Sequence, residues 1–131
     1  MPNKLLANEW LESGKKHLEV AEILFKNGHY TDIVGLELQQ SVERILKAVL
    51  AYNNLSIIRT HDLATLLETV KNEIEFDNAI RVQCEIATDY FQDNRYPGGG
   101  SSFLPSDKEI GKVIETADYI YKKVKEYINK Q

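Results

Sequence analysis

The stretch Thr31–Asn53, TDIVGLELQQSVERILKAVLAYN, restricts what this chain can fold into more than any other. Placed on a helix at 100° per residue, its apolar arc takes in Leu36, Leu38, Val42, Ile45, Leu46, Val49 and Leu50. An arc that wide is not covered when a helix lies on a surface, so the segment belongs in the middle of a helical bundle. Gln39 and Glu43 fall inside the arc one turn apart, with Gln40 beside them and Lys47 at the edge. A buried carboxylate has to be matched, because stripping a buried charge of its partner costs about 3–5 kcal/mol. Two readings stay open. Glu43 bonds Gln39, Lys47 or a neighbouring helix in an internal network, or this polar seam supports a binding cleft between helices.

The flanking segments carry the same period. From about Lys4 to Lys26, Leu6, Trp10, Leu11, His17, Leu18, Ala21, Leu24 and Phe25 share one face, opposite Glu12, Lys15, Lys16, Glu19 and Glu22. Gly14 on the apolar side permits a close helix approach, and His17 is expected as a hydrogen-bonded core residue. Asn27-Gly28 ends this helix, and Thr31 or Asp32 is placed to cap the next. So short a link makes the two antiparallel neighbours.

After Tyr52-Asn53-Asn54, Thr60 is placed to cap a shorter third helix, with Asp62 in its first turn and Leu63, Leu66, Leu67 and Val70 as its stripe. A fourth spans roughly Asp77 to Asp93, turning Ile80, Cys84, Ala87, Tyr90 and Phe91 inward. Past the Gly98-Gly99-Gly100 loop, Ser106 and Glu109 read as a capping box. The last helix aligns Ile110, Val113, Ile114, Ala117, Ile120, Tyr121, Val124 and Ile128. With no strand signal and no internal repeat, the expectation is all-α. One domain over residues 1–131 should form a bundle of four long helices plus one short helix.

Several chemistries drop out. Formal charge is −4 with both signs interspersed, so there is no footprint for duplex DNA, although local recognition of a nucleotide or short RNA stays open. The single cysteine, Cys84, excludes an internal disulfide and reads as a small core residue. No apolar run approaches the ~18 residues a bilayer requires, and MPNKLLANEW lacks the apolar core of a secretory signal, so a cytoplasmic chain with no membrane partner is expected. No histidine stands three residues after a glutamate, as di-iron bundles require, and one cysteine with scattered histidines excludes structural zinc. No metal and no cofactor is expected. The glycine run follows a helix and lacks the Lys-Ser/Thr ending of a P-loop, although its amides could contact a phosphate.

What remains is a constellation. It comprises Gln39, Gln40, Glu43 and Lys47, then Thr60, His61 and Asp62, then Asp89, Tyr90, Arg95 and Tyr96. Arg95 could pair bidentately with a phosphate, Tyr90 or Tyr96 could stack on a base, and Lys47 could supply a point charge. His61, at a helix N-terminus near Arg59, is the histidine expected to be exposed and neutral, and it is the candidate catalytic residue. The competing reading pairs Arg95 with Asp89 or Asp93 and leaves both tyrosines in the core.

The motifs Trp10-Leu11, His17-Leu18, Ala21 and Leu24, then Tyr30, Gln39-Gln40, Glu43 and Leu46-Lys47-Ala48, then Thr60-His61-Asp62-Leu63 and Arg95-Tyr96-Pro97 together resemble the HEPN domain. The resemblance covers nearly the whole chain. It implies an up-and-down helical bundle, a homodimer, nucleotide binding, and often a small nucleotidyltransferase partner in a toxin–antitoxin pair. Many members are metal-independent ribonucleases with an Arg-x(4–6)-His motif. Here no histidine follows Arg44, Arg59, Arg81 or Arg95 at that spacing, so those catalytic residues are not carried over. The expected function is a HEPN-like nucleotide-binding or interaction protein, leaning away from an enzyme. The alternatives are a ribonuclease using His61 in a non-standard site, or a purely structural dimerisation module.

Overall fold

The side chain of Asn3 accepts from the Leu6 amide at 3.1 Å and starts α1 (Lys4–Lys26). The computed structural model describes residues 1–91 and 104–130. After Asn27 closes α1, the chain reverses into α2 (Thr31–Tyr52). The Asn3 amide donates to the Tyr52 carbonyl at 3.0 Å, which sets the start of α1 beside the end of α2 and makes the pair antiparallel. Then come α3 (Leu63–Val70), α4 (Asn78–Thr88) running into a 3-10 turn (Asp89–Phe91), and α5 (Asp107–Asn129). The described residues contain no strand, and the all-α architecture expected from the periodicity is what the chain adopts.

The central place of α2 follows from its wide arc. It packs against α1, α3, α4 and α5, and from Ile45 to Ala51 every residue is buried. Two glycines let its neighbours come close. A Cβ on Gly14 would lie 2.6 Å from Ile45 Cγ1 and 2.8 Å from the Ser41 carbonyl oxygen, so α1 crosses α2 nearly backbone to backbone. Ser41 Oγ donates to the Gly14 carbonyl at 2.8 Å in that crossing. A Cβ on Gly35 would sit 2.7 Å from Tyr90 Cγ, and the Tyr90 hydroxyl donates to Glu109 Oε2 at 2.6 Å. Tyr90 thus joins the start of α2 to the start of α5. At the other end Asn53 Nδ2 donates to the Tyr127 hydroxyl at 3.1 Å, so α5 runs parallel to α2.

Helix starts differ from the sequence expectation in three places. Asp62, not Thr60, caps α3, its carboxylate accepting from Ala64 at 3.0 Å and Thr65 at 3.3 Å. Thr60 instead accepts from the Asp62 amide and orders the approach. Tyr30 occupies the N-cap of α2 and makes no side-chain cap bond. The expected capping box is half made: Ser106 accepts from the Glu109 amide at 3.1 Å, but the Glu109 carboxylate is drawn away to Tyr90. Leu6, expected inward, is exposed.

Gly14→Ala is expected to destabilise the fold by about 1–3 kcal/mol, because Ile45 and the Ser41 backbone must both move. Gly111→Ala, where an added Cβ meets nothing within 4 Å, should stabilise by about 0.5–1 kcal/mol through helix propensity alone. Denaturant midpoints that shift in the same direction for both variants would refute the close-crossing account.

Candidate functional site

The polar seam on α2 is a connected network with Glu43 at its centre. Glu43 is buried, and its two oxygens divide the partners between them. Oε1 accepts from Gln39 Nε2 at 3.0 Å and faces His61 Nδ1 at 2.8 Å. Oε2 accepts from Lys47 Nζ at 2.8 Å. Gln39, Glu43 and Lys47 stand at i, i+4 and i+8, so one helix face stacks amide, acid and ammonium. Burial pushes the Glu43 carboxyl upward, but hydrogen bonds from Lys47, His61 and Gln39 outweigh it and hold the group below the ordinary carboxylate value of 4.5.

Gln39 is fully used. Its amide nitrogen also donates to the His61 carbonyl at 2.8 Å, and its oxygen accepts from Gln40 Nε2 at 2.8 Å. The segment before α3 is therefore held twice, by the His61 backbone through Gln39 and by the His61 ring through Glu43. Because an ionised carboxylate only accepts, the His61 nitrogen facing it carries the hydrogen, and Nε2 is the ring nitrogen left over. The ring stacks on Phe91 with centroids 3.8 Å apart, and 54% of the side chain remains exposed. His61 is thus the outward-facing end of an otherwise buried network.

Two residues expected at a ligand lie in the interior instead. Lys47 is buried, its ammonium fixed on Glu43 and 5.9 Å from the Trp10 ring centroid. Tyr90 is buried against Gly35 with its hydroxyl on Glu109. Burial, followed by the Glu109 hydrogen bond, pushes its phenol upward. Asp62 is exposed but serves α3 as cap, and Asp89 caps the end of α4. Arg95 and Tyr96 lie outside the described residues. Phe91 is the aromatic plane that stands with His61, a role the inward stripe of the fourth helix did not reveal. Arg44, one turn beyond Gln40, is a second cation on the seam. Its i, i+4 spacing from Gln40 was the available signal.

Away from the seam, His17 Nδ1 lies 2.6 Å from Glu37 Oε1 in a half-buried pair between α1 and α2. The Cys84 thiol is buried and pushed up to about 12, by burial first and Glu85 second, which makes it inert rather than nucleophilic. Among the described residues, no group of three or more His, Cys, Asp or Glu is arranged to hold a metal ion. No helix among them is long and apolar enough to cross a membrane.

These features define a class: an all-α bundle whose central helix carries a buried acid–amide–lysine network ending in a half-exposed histidine on an aromatic plane. The chain belongs to the HEPN domain family, whose model matches residues 7–127. A Methanocaldococcus jannaschii protein named "Putative toxin MJ1304" is 34% identical over 73 residues, covering 56% of this chain and 47% of that protein. The match thus spans about half the length of that relative. The crystal structure of TT1696 from Thermus thermophilus superposes with a TM-score of 0.80 at 20% identity, covering 92% of this chain and 97% of that one. That of ST0689, an archaeal HEPN homologue, gives 0.74 at 20% identity, covering 94% and 98%. At that identity the two structures establish the fold.

Glu43→Ala is expected to destabilise the protein by roughly 2–4 kcal/mol, since Lys47 and Gln39 lose a buried partner. Because the folded carboxyl is held below its ordinary value, its contribution is complete above about pH 4.5 and disappears as pH falls through the lower folded value. Unfolding free energies measured between neutral pH and pH 3 should therefore fall more steeply in the wild type than in Glu43→Gln. Parallel acid limbs would show that Glu43 does not carry the linkage.

Proposed function

We propose that this chain is a toxin–antitoxin-type HEPN protein that binds the phosphate of a nucleotide or short RNA beside His61. We further propose that it acts as a homodimer with a small nucleotidyltransferase as partner. The observation that carries the binding reading is the Glu43–His61 pair. A buried carboxylate orients a half-exposed imidazole, Phe91 backs the ring, and Trp10 stands next to Lys47 at the neighbouring edge. Carrying a hydrogen on both nitrogens, such a ring donates from its outer nitrogen to a phosphate oxygen while Phe91 or Trp10 offers a surface to a base. Tyr90, being part of the core, takes no part. The likeness to the M. jannaschii protein supports the toxin–antitoxin placement. Exposed Ile23 and Val82, outside their own helix stripes, support self-association.

The same geometry favours a second reading, a metal-independent ribonuclease in which His61 accepts a proton. A carboxylate that fixes one imidazole nitrogen leaves the other ready as a base. The two readings separate in one set of experiments. Calorimetric titration with ATP and a short oligonucleotide should show binding that weakens as salt rises and falls at least about tenfold in His61→Ala, at a temperature where circular dichroism shows that variant folded, since Glu43 keeps Lys47 and Gln39 as partners. Equal binding by wild type and variant would remove His61 from the site. Cleavage of labelled RNA that disappears in His61→Ala would establish the enzyme. Light scattering should return the dimer mass, and a monomer mass across micromolar concentrations would eliminate the dimer.

A further inference from the structure

Arg44 is the cation that the network holds without an acid. Its Nη1 donates to Ser13 Oγ at 3.2 Å and its Nη2 to Gln40 Oε1 at 3.3 Å, both neutral acceptors and both long for charge-assisted bonds. Its Nε is buried and has no hydrogen-bond partner among the described residues. It takes part in no ion pair among them, whereas Lys47, Lys71, Arg81 and Lys122 all meet carboxylates. A half-buried guanidinium is costly in this state, since its planar fork is built to meet a two-oxygen anion.

The surroundings suit such an anion. On α1, Trp10 lies one turn before Ser13 on the same face, and on α2 Lys47 lies one turn after Arg44. The Lys47 ammonium lies 5.9 Å from the Trp10 ring centroid, so the residues one turn from Arg44 and one turn from Ser13 face each other across the two helices. Arg44 is also linked to the histidine site by hydrogen bonds. Gln40 accepts from Arg44 and donates to Gln39, which donates to the His61 carbonyl.

We propose that Arg44 and Ser13, in the α1–α2 groove beside Trp10, form a second phosphate subsite for the ligand that His61 meets. The subsite takes a phosphoryl group on the guanidinium fork, with the Ser13 hydroxyl as a further donor. The identity of the ligand as a nucleotide or RNA rests on the function proposed above. The subsite itself can be tested without it, using inorganic phosphate.

The experiment compares wild type, Arg44→Met and Ser13→Ala by thermal melting in phosphate and in chloride of matched ionic strength, then by titration with AMP and ATP. Phosphate should raise the melting temperature of the wild type clearly more than that of Arg44→Met, with Ser13→Ala between them. Without phosphate, Arg44→Met should melt at or above the wild type, because it removes a half-buried charge that meets no carboxylate among the described residues. ATP binding should weaken roughly tenfold in Arg44→Met, and AMP binding by less. A phosphate-induced rise as large in Arg44→Met as in the wild type would overturn the subsite. So would a lower melting temperature of that variant in chloride, which would mark Arg44 as purely structural. If phosphate acts through Arg44 but neither nucleotide binds, the subsite stands and the nucleotide reading falls. If the nucleotides bind, lose affinity in His61→Ala and are indifferent to Arg44→Met, the reverse holds.

Discussion

A carboxylate inside a helical bundle must be met on both oxygens, and the way Glu43 is met organises this molecule. Lys47 and Gln39 reach it from the same helix at one-turn spacing, and His61 reaches it from the segment before α3. The first two contacts follow from helix geometry alone. The third is tertiary, and it draws the α2–α3 connection onto the central helix. Stripping the acid of any one partner leaves the others over- or under-matched in a low-dielectric setting, where mismatches are expensive. The network therefore ties the placement of His61 to the integrity of the bundle.

Much of this was legible in the residues. The limits of α1 and the wide arc of α2 follow from a long 3.6-residue period, the strongest signal a helix leaves, and Glu43 was placed inside that arc by the same count. The buried stripes of α3 and α5 were also readable, since Leu63, Leu66, Leu67 and Val70 admit only one face. What failed was local competition. Thr60 and Asp62 are both good caps, and the choice of Asp62 depends on Gln39 and Thr88 holding the adjoining backbone, which is tertiary information. Glu109 illustrates the same limit. Its spacing from Ser106 suits a capping box, but a buried tyrosine hydroxyl in need of an acceptor captures it.

The site was harder to read than the fold for a physical reason. Long polar side chains reach several ångströms, so their partners are decided by which helices lie alongside. Lys47 could be placed at the edge of an arc from sequence, but only packing shows it turned inward onto Glu43 beside Trp10. Tyr90 carries an aromatic ring suited to stacking, yet the bare backbone of Gly35 takes that ring into the core. Phe91, one residue on, is left to pair with His61.

The seam lies wholly on α2, whereas the groups that border it come from elsewhere: Trp10 from α1, His61 from the connection to α3, and Phe91 from the turn after α4. This division has an evolutionary consequence. A substitution at Gln39 or Glu43 disturbs core and site together, and a single-residue insertion in α2 rotates every later position by about 100° and breaks both at once. Trp10 and Phe91 stand on separate elements and make no hydrogen bond to the acid, so either can be exchanged without touching the backbone that carries the other rim residues. A lineage carrying this bundle can drift in what it recognises by changing the rim one residue at a time, while the acid beneath stays unaltered.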